Sequence, residues 1–179
     1  MFGFYDFLAI LLLSFAIGVN SFSVHMQKRY KYYDKFGKDG YAIHSVVVSV
    51  AWGLFVVTEF LAARSTWRLD SSYPVLGYAT MLVALVIFVL ALKQIGIHGL
   101  GNGNFFGKPL QQLGGIYNYL PEPIYISYCL WFLGIAFASS LKVFFVLALV
   151  GFIGLIFIEA RIERPEMGLR RSNEYGLLK

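Results

Sequence analysis

The chain has 179 residues, of which 58% are hydrophobic and only 14% are charged, and its mean hydropathy is +0.66. Soluble domains carry about 25% charged residues, so this composition excludes an ordinary soluble protein and a disordered one. The net charge of +5 does not indicate a nucleic-acid partner, because no nucleic-acid-binding motif is present and basic residues beside apolar segments match anionic membrane lipids.

Three apolar segments in the first half of the chain are long enough to cross a bilayer as helices. They cover residues 4–24, 41–63 and 74–92, and about 20 apolar residues span the hydrocarbon core. The first segment has Asp6 where a secretory signal carries basic residues, and no small-residue cleavage pattern follows it. We therefore interpret it as a retained helix.

The last apolar stretch, residues 124–158, is too long for one crossing. Its small and polar interruption at 138–142 predicts a tight helical hairpin. The sequence thus predicts an all-α, polytopic integral membrane protein with about five transmembrane helices. We expect one domain over 1–179, with three helices in 1–92 and a connector, a hairpin and a tail in 93–179.

The distribution of basic residues predicts the orientation of these helices. Segments 25–40, 93–123 and 159–179 carry twelve of the fifteen lysines and arginines. Basic side chains resist translocation, so these segments are predicted to be cytoplasmic. The N-terminus is then expected outside and the C-terminus in the cytoplasm.

Few ionisable residues fall inside the predicted spans. Asp6, at the start of the first segment, is expected on the outer side, so Glu59 is the one acid within a span, and we expect it to reach the outer surface or to pair with the nearby Arg64. His25, His44 and His98 are 19 and 54 residues apart, which matches no local zinc pattern. No metal site is predicted.

A glycine-rich connector follows the third span. Seven glycines lie between residues 96 and 115, and glycine lets a backbone approach a ligand and offer its N–H groups. No strand precedes the connector, so it lacks the dinucleotide-binding fingerprint, and a plain flexible connection remains an alternative.

Two motifs flank the hairpin. Before it stands a Gly-x-Tyr-x-Tyr-x-x-x-Pro-x-Tyr pattern, in which Pro123 suits a first helical turn and Glu122 the helix amino terminus. After it come a charged segment with Glu163, Pro165 and Glu166, a basic pair and a tyrosine, Tyr175.

Together these motifs resemble the isoprenylcysteine carboxyl methyltransferase and phospholipid methyltransferase superfamily over residues 90–176. The resemblance implies a membrane methyltransferase that uses S-adenosylmethionine and acts on a lipid or prenylated acceptor reached through the bilayer. It implies that the hairpin closes over the cofactor at the cytoplasmic surface. Membrane lipids are expected partners, and membrane protein partners are possible.

The resemblance also implies roles for individual residues. Glu122 and Glu163 are the predicted catalytic residues, with Glu163 near the ribose or the sulfonium. The predicted cofactor-binding residues are Gly99, Gly101, Gly103, Tyr117, Tyr119, Pro123, Tyr125, Glu163 and Glu166.

The chain departs from the superfamily pattern at charged positions. The usual Arg-His-Pro is Pro121-Glu122-Pro123 here, and Arg164 replaces the second acid of a Glu-Glu pair. A reversed ion pair between Glu122 and Arg164 is one interpretation. The alternative function is a non-catalytic subunit of a larger membrane complex. A membrane reductase is a third interpretation, but it predicts an acid where this chain has Tyr128.

Overall fold

The computed structural model describes residues 1–100, 106, 115–120 and 122–159. These residues form five helices: α1 (Phe4–Tyr30), α2 (Gly40–Ala62), α3 (Pro74–Leu100), α4 (Pro123–Ser139) and α5 (Lys142–Gly151), which continues with π-helical geometry over Phe152–Glu159. Short 3-10 segments occupy Tyr32–Asp39 and Gly115–Asn118. Three stretches are long and apolar enough to cross a membrane, Phe4–Tyr30, Tyr32–Ala62 and Pro74–Gly96, and α4 and α5 are shorter apolar helices. The predicted all-α membrane fold is confirmed.

The first helix is longer than its apolar stretch. The backbone N–H of Gly3 donates to the Asp6 carboxylate at 2.7 Å, which fixes the first turn. The helix then continues six residues past Val24, because the polar side chains of Ser23 and Gln27 find buried partners there. It ends at Lys31, whose backbone is left-handed with φ of 50°.

Helices α3 and α4 approach each other closely through glycines. A Cβ on Gly77 would lie 2.5 Å from the backbone nitrogen of Ala138, and one on Gly134 would lie 2.5 Å from Cγ of Met81. Small residues let membrane helices gain dispersion contacts where lipid and protein are equally apolar. Gly154 similarly lies against Ile17, which packs the last helix on α1.

The α4–α5 turn lies within the predicted interruption at 138–142. α4 ends at Ser139, Ser140 is left-handed, and Phe132 packs near Phe144 with ring centroids 6.3 Å apart. The loop between α2 and α3 is hydrogen-bonded to this turn, since the backbone N–H of Leu69 donates to the carbonyl of Ser140 at 2.8 Å.

These contacts fix the two ends of the bundle. The end of α2, the start of α3 and the α4–α5 turn lie together at one end. The other end holds the end of α1, the start of α2, the end of α3 and the start of α4, and we call it the basic end because residues 28–38 carry five lysines and arginines there.

Glu59 does not meet Arg64 as the sequence suggested. The indole of Trp131 on α4 lies within reach of its carboxylate, whereas the Arg64 guanidinium lies 5.7 Å from the ring centroid of Tyr5. The physical reason is helical geometry, because residues five apart point to different faces and α2 ends at Ala62, before Arg64.

Candidate functional site

The start of α4 buries a carboxylic acid at the basic end. Glu122 is only 5% exposed and precedes Pro123, the first residue of the helix. Its backbone carbonyl accepts the N–H of Ile126 at 3.0 Å, so the side chain stands at the amino terminus of α4. Free N–H groups and the helix dipole favour a negative charge at this position.

Two tyrosines of the first motif pack into the core beside this acid. Tyr117, in the 3-10 segment, and Tyr125, in the first turn of α4, are both buried and belong to the same apolar cluster as Ala91 and Ile95 of α3. Tyr119 differs, because it follows the 3-10 segment and is 86% exposed. The structure thus brings Tyr117 and Tyr125 to the end of α3 and leaves the Tyr119 side chain outside.

The end of α3 contributes a polar group that the sequence analysis missed. The Oε1 atom of Gln94 is buried and has no hydrogen-bond partner among the described residues. The amide group of Gln94 occupies the space that a Cβ on Gly115 would need, and Gly115 has φ of 56°. Gly96, two residues further along α3, also has a positive φ of 67°. Both conformations favour glycine, so two glycines of the connector are required by the backbone.

A hydrogen-bonded network lies at the junction of α1 and α2. The Oγ of Ser23 is 2.6 Å from the Tyr33 hydroxyl and 2.9 Å from Nδ1 of His44. Gln27 accepts the backbone N–H of Tyr33 at 2.9 Å and donates to Asp34 at 2.8 Å. Ser23, Tyr33 and His44 are all buried, and within the part of the chain that the structure describes Nε2 of His44 has no hydrogen-bond partner.

Phe106 joins the connector to this network. Its ring centroid lies 5.1 Å from that of His44, 5.4 Å from Tyr41 and 6.1 Å from Tyr33. The Phe106 ring therefore packs on the start of α2 and on the 3-10 segment before it. The sequence analysis missed this network and Phe106, because their contacts join distant parts of the chain. The only signal in the sequence was the presence of polar residues inside an apolar segment.

Several predicted site residues fall outside the described residues, namely Gly101, Gly103, Glu163 and Glu166. Gly99 lies in the last turn of α3, and Pro123 opens α4. All the proposed catalytic and cofactor-binding roles remain predictions. Among the described residues, no three His, Cys, Asp or Glu side chains lie close enough together to hold a metal ion.

Two groups at the basic end are suited to ligand binding. Glu122 places a buried negative charge there, and the Gln94 side-chain carbonyl, packed against Gly115, is an acceptor without a hydrogen-bond partner among the described residues. The exposed cations of the adjacent 3-10 segment include Lys35, which lies 3.5 Å from the ring centroid of Tyr32. Interfacial aromatics and cations suit the headgroup layer of a membrane.

Comparison with known proteins identifies the second half of the chain. A family model described as phospholipid methyltransferase matches residues 73–169, which include α3, the connector, α4 and α5. No curated protein and no solved structure matches the chain.

Proposed function

The chain belongs to the phospholipid methyltransferase family, and from that premise we propose that it is a membrane enzyme that methylates a lipid or prenylated acceptor from S-adenosylmethionine at the basic end. Its long apolar helices and its family support an integral membrane protein. Our orientation of the chain, with the basic end in the cytoplasm, is part of the proposal and rests on the distribution of basic residues.

The observation that carries this proposal is the burial of Glu122 at the start of α4, within the family-matched segment. A carboxylate withdrawn from water needs a positive counterpart or several hydrogen-bond donors. The helix amino terminus supplies part of this compensation. A sulfonium group, or the amine of an acceptor, would be attracted to the same negative charge.

The residues present at the basic end fit the proposed cofactor. The buried Gln94 oxygen, which no described residue hydrogen-bonds, is an acceptor suited to a hydroxyl or ammonium group. Gly115 leaves room for the Gln94 amide, which a Cβ at this position would displace. We propose that Gln94, Tyr117 and Glu122 hold the cofactor together with Gly99, Gly101, Gly103 and Glu163.

When bound, S-adenosylmethionine supplies a methyl group on a positively charged sulfur that leaves with its bonding electrons. The protein then has little covalent work to do, because such a transfer depends on alignment and on the exclusion of water. The negative Glu122 carboxylate attracts the positively charged group at the reacting end. It also accepts the proton that an amine acceptor loses. The buried rings of Tyr117 and Tyr125 keep water from this region.

A non-catalytic subunit of a membrane complex is the second candidate. The observation that favours it is Glu122 itself, which stands where the superfamily usually has histidine. A protein that kept the fold and lost the reaction would bind no cofactor, so ligand binding separates the two functions.

The test is calorimetric titration of the purified protein in lipid nanodiscs with S-adenosylmethionine and with its demethylated product. We expect saturable binding of both, with affinity reduced about tenfold or more in Glu122→Gln, since losing a charged partner costs about 1.5–3 kcal/mol. Asp39→Asn is the matched control, because Asp39 is an exposed acid at the same end. Absence of saturable binding up to millimolar ligand would exclude the enzyme and favour the subunit.

A further inference from the structure

Cations and aromatic rings are concentrated on one surface at the junction of α1 and α2. The cations there are Lys28, Arg29, Lys31, Lys35 and Lys38. Lys28 is half-buried, and the other four are exposed. Large exposed rings lie among them in the sequence, and they belong to Tyr30, Tyr32 and Phe36. We call these residues the cationic surface.

The acids beside the cationic surface leave it with a net positive charge. Residues 28–39 carry five positive charges and two negative ones, from Asp34 and Asp39, which gives a net charge of +3. One oxygen of Asp34 accepts a hydrogen bond from Nε2 of Gln27 at 2.8 Å. Since Gln27 is buried, this bond holds the Asp34 carboxylate against the protein.

The 3-10 segment has an inner and an outer side. On the inner side Tyr33 is buried, and its hydroxyl lies 2.6 Å from Oγ of Ser23. On the outer side Nζ of Lys35 lies 3.5 Å from the ring centroid of Tyr32 and 4.9 Å from that of Phe36. Ring faces attract cations. The segment is therefore fixed to α1 while its cations and two of its rings face outward.

The cationic surface lies at the depth of the lipid headgroups. Lys28 comes four residues after Val24, the last residue of the first apolar stretch, and four residues span about 6 Å of a helix. The headgroup layer on each side of a bilayer is roughly 5–7 Å thick. The next apolar stretch begins at Tyr41, so both ends of the surface are tied to the membrane.

We propose that the cationic surface binds the headgroups of anionic lipids in the adjacent leaflet in preference to zwitterionic ones. Lysine and arginine beside a membrane attract anionic lipids, and tyrosine rings favour the same layer. A soluble acidic partner would have to displace the lipids that surround these rings. Phosphatidylglycerol is a suitable probe, because it is anionic and carries no amine. Its binding is therefore separate from that of an amine acceptor and does not depend on the proposed methyl transfer.

The experiment compares phosphatidylglycerol and phosphatidylcholine that carry the same spin-labelled acyl chain, with the whole protein in lipid vesicles. Electron paramagnetic resonance measures the fraction of each lipid that the protein immobilises. We expect the wild type to associate about twofold or more strongly with phosphatidylglycerol, because one cation changes the affinity for an anionic lipid by up to about fivefold and the signal averages over all surrounding lipids. Raising the salt from about 0.1 M to about 1 M shortens the screening length from about 10 Å to about 3 Å and should reduce the preference.

The double variant Lys35→Gln with Lys38→Gln removes two exposed cations of the cationic surface. It should lose about half of the preference or more. Arg64→Gln with Arg68→Gln is the matched control, because it removes two exposed cations at the opposite end of the bundle, and it should keep most of the preference.

Equal association of the two lipids with the wild type, or equal losses in the two double variants, would overturn the proposal. A preference that high salt leaves unchanged would also overturn it. The wild-type comparison at the two salt concentrations decides the matter even when a variant does not fold. Failure to bind S-adenosylmethionine bears on the proposed function alone.

Discussion

Ser23→Ala should destabilise the protein more than its size suggests, because this one hydroxyl serves two buried partners. Ser23 Oγ lies 2.6 Å from the Tyr33 hydroxyl and 2.9 Å from Nδ1 of His44. A serine hydroxyl has one proton and two lone pairs, so Ser23 donates at most one of these two bonds and accepts the other. Alanine at position 23 leaves both partners buried and unpaired.

The magnitude follows from these two bonds. Hydrogen bonds between membrane helices contribute on average about 0.6 kcal/mol and at most about 1.7 kcal/mol, and those in soluble proteins about 0.5–1.5 kcal/mol. Ser23→Ala should therefore cost about 1–3 kcal/mol. Tyr33→Phe should cost about 0.5–1.5 kcal/mol, because it removes one bond and leaves Ser23 paired with His44.

The assay is reversible unfolding in mixed micelles, followed by circular dichroism as denaturing detergent increases. Ser14→Ala is the control on the same helix, since its exposed hydroxyl bonds only the Ile10 carbonyl four residues back. We expect the control to lie within about 0.5 kcal/mol of the wild type. A loss for Tyr33→Phe that equals or exceeds the loss for Ser23→Ala would refute the bridging role of Ser23.

Three further predictions concern packing, the connector and orientation. Gly77→Ala should destabilise the protein by about 1–3 kcal/mol, because the added Cβ would meet the backbone of Ala138. Gly53→Ala, which has open space around it, should not. Equal unfolding curves for the two variants would contradict the close α3–α4 contact. Gly115→Ala should displace Gln94 and so weaken S-adenosylmethionine binding measured by calorimetry. Gly37→Ala should retain the affinity, because Gly37 also has a positive φ but has open space around it. Equal affinities of the two variants would exclude Gln94 from the site. Cysteines placed at Lys35 and Ser71 in a Cys129→Ala background should react with an impermeant reagent from opposite sides in intact cells, and labelling of position 35 from outside would invert the predicted orientation.

The lengths of the apolar segments and the interruptions between them predict most of this fold. All five helices were predicted, and the turn between α4 and α5 falls within the interruption at 138–142. The positions of the helix ends were harder to predict from the sequence, because they depend on contacts with distant residues. The end of α1 passes Val24 since Ser23 and Gln27 are paired inside the protein, which hydropathy does not register.

The site was predictable only in part. The sequence indicated Glu122, and its motif placed the acid at a helix start, but nothing local shows that the side chain is buried. Gln94 and Phe106 act through neighbours that are distant in sequence. The partner of Glu59 was missed for the same reason, since Trp131 is 72 positions further along the chain.

The location of the cofactor is tested most directly by photocrosslinking methyl-tritiated S-adenosylmethionine to the protein in nanodiscs and identifying the labelled peptides by mass spectrometry. We predict label in peptides that contain Gln94 or residues 115–125, and its loss when excess unlabelled cofactor is present. Label confined to α1 and the 3-10 segment Tyr32–Asp39, or label that excess cofactor does not displace, would contradict a methyltransferase site at the start of α4.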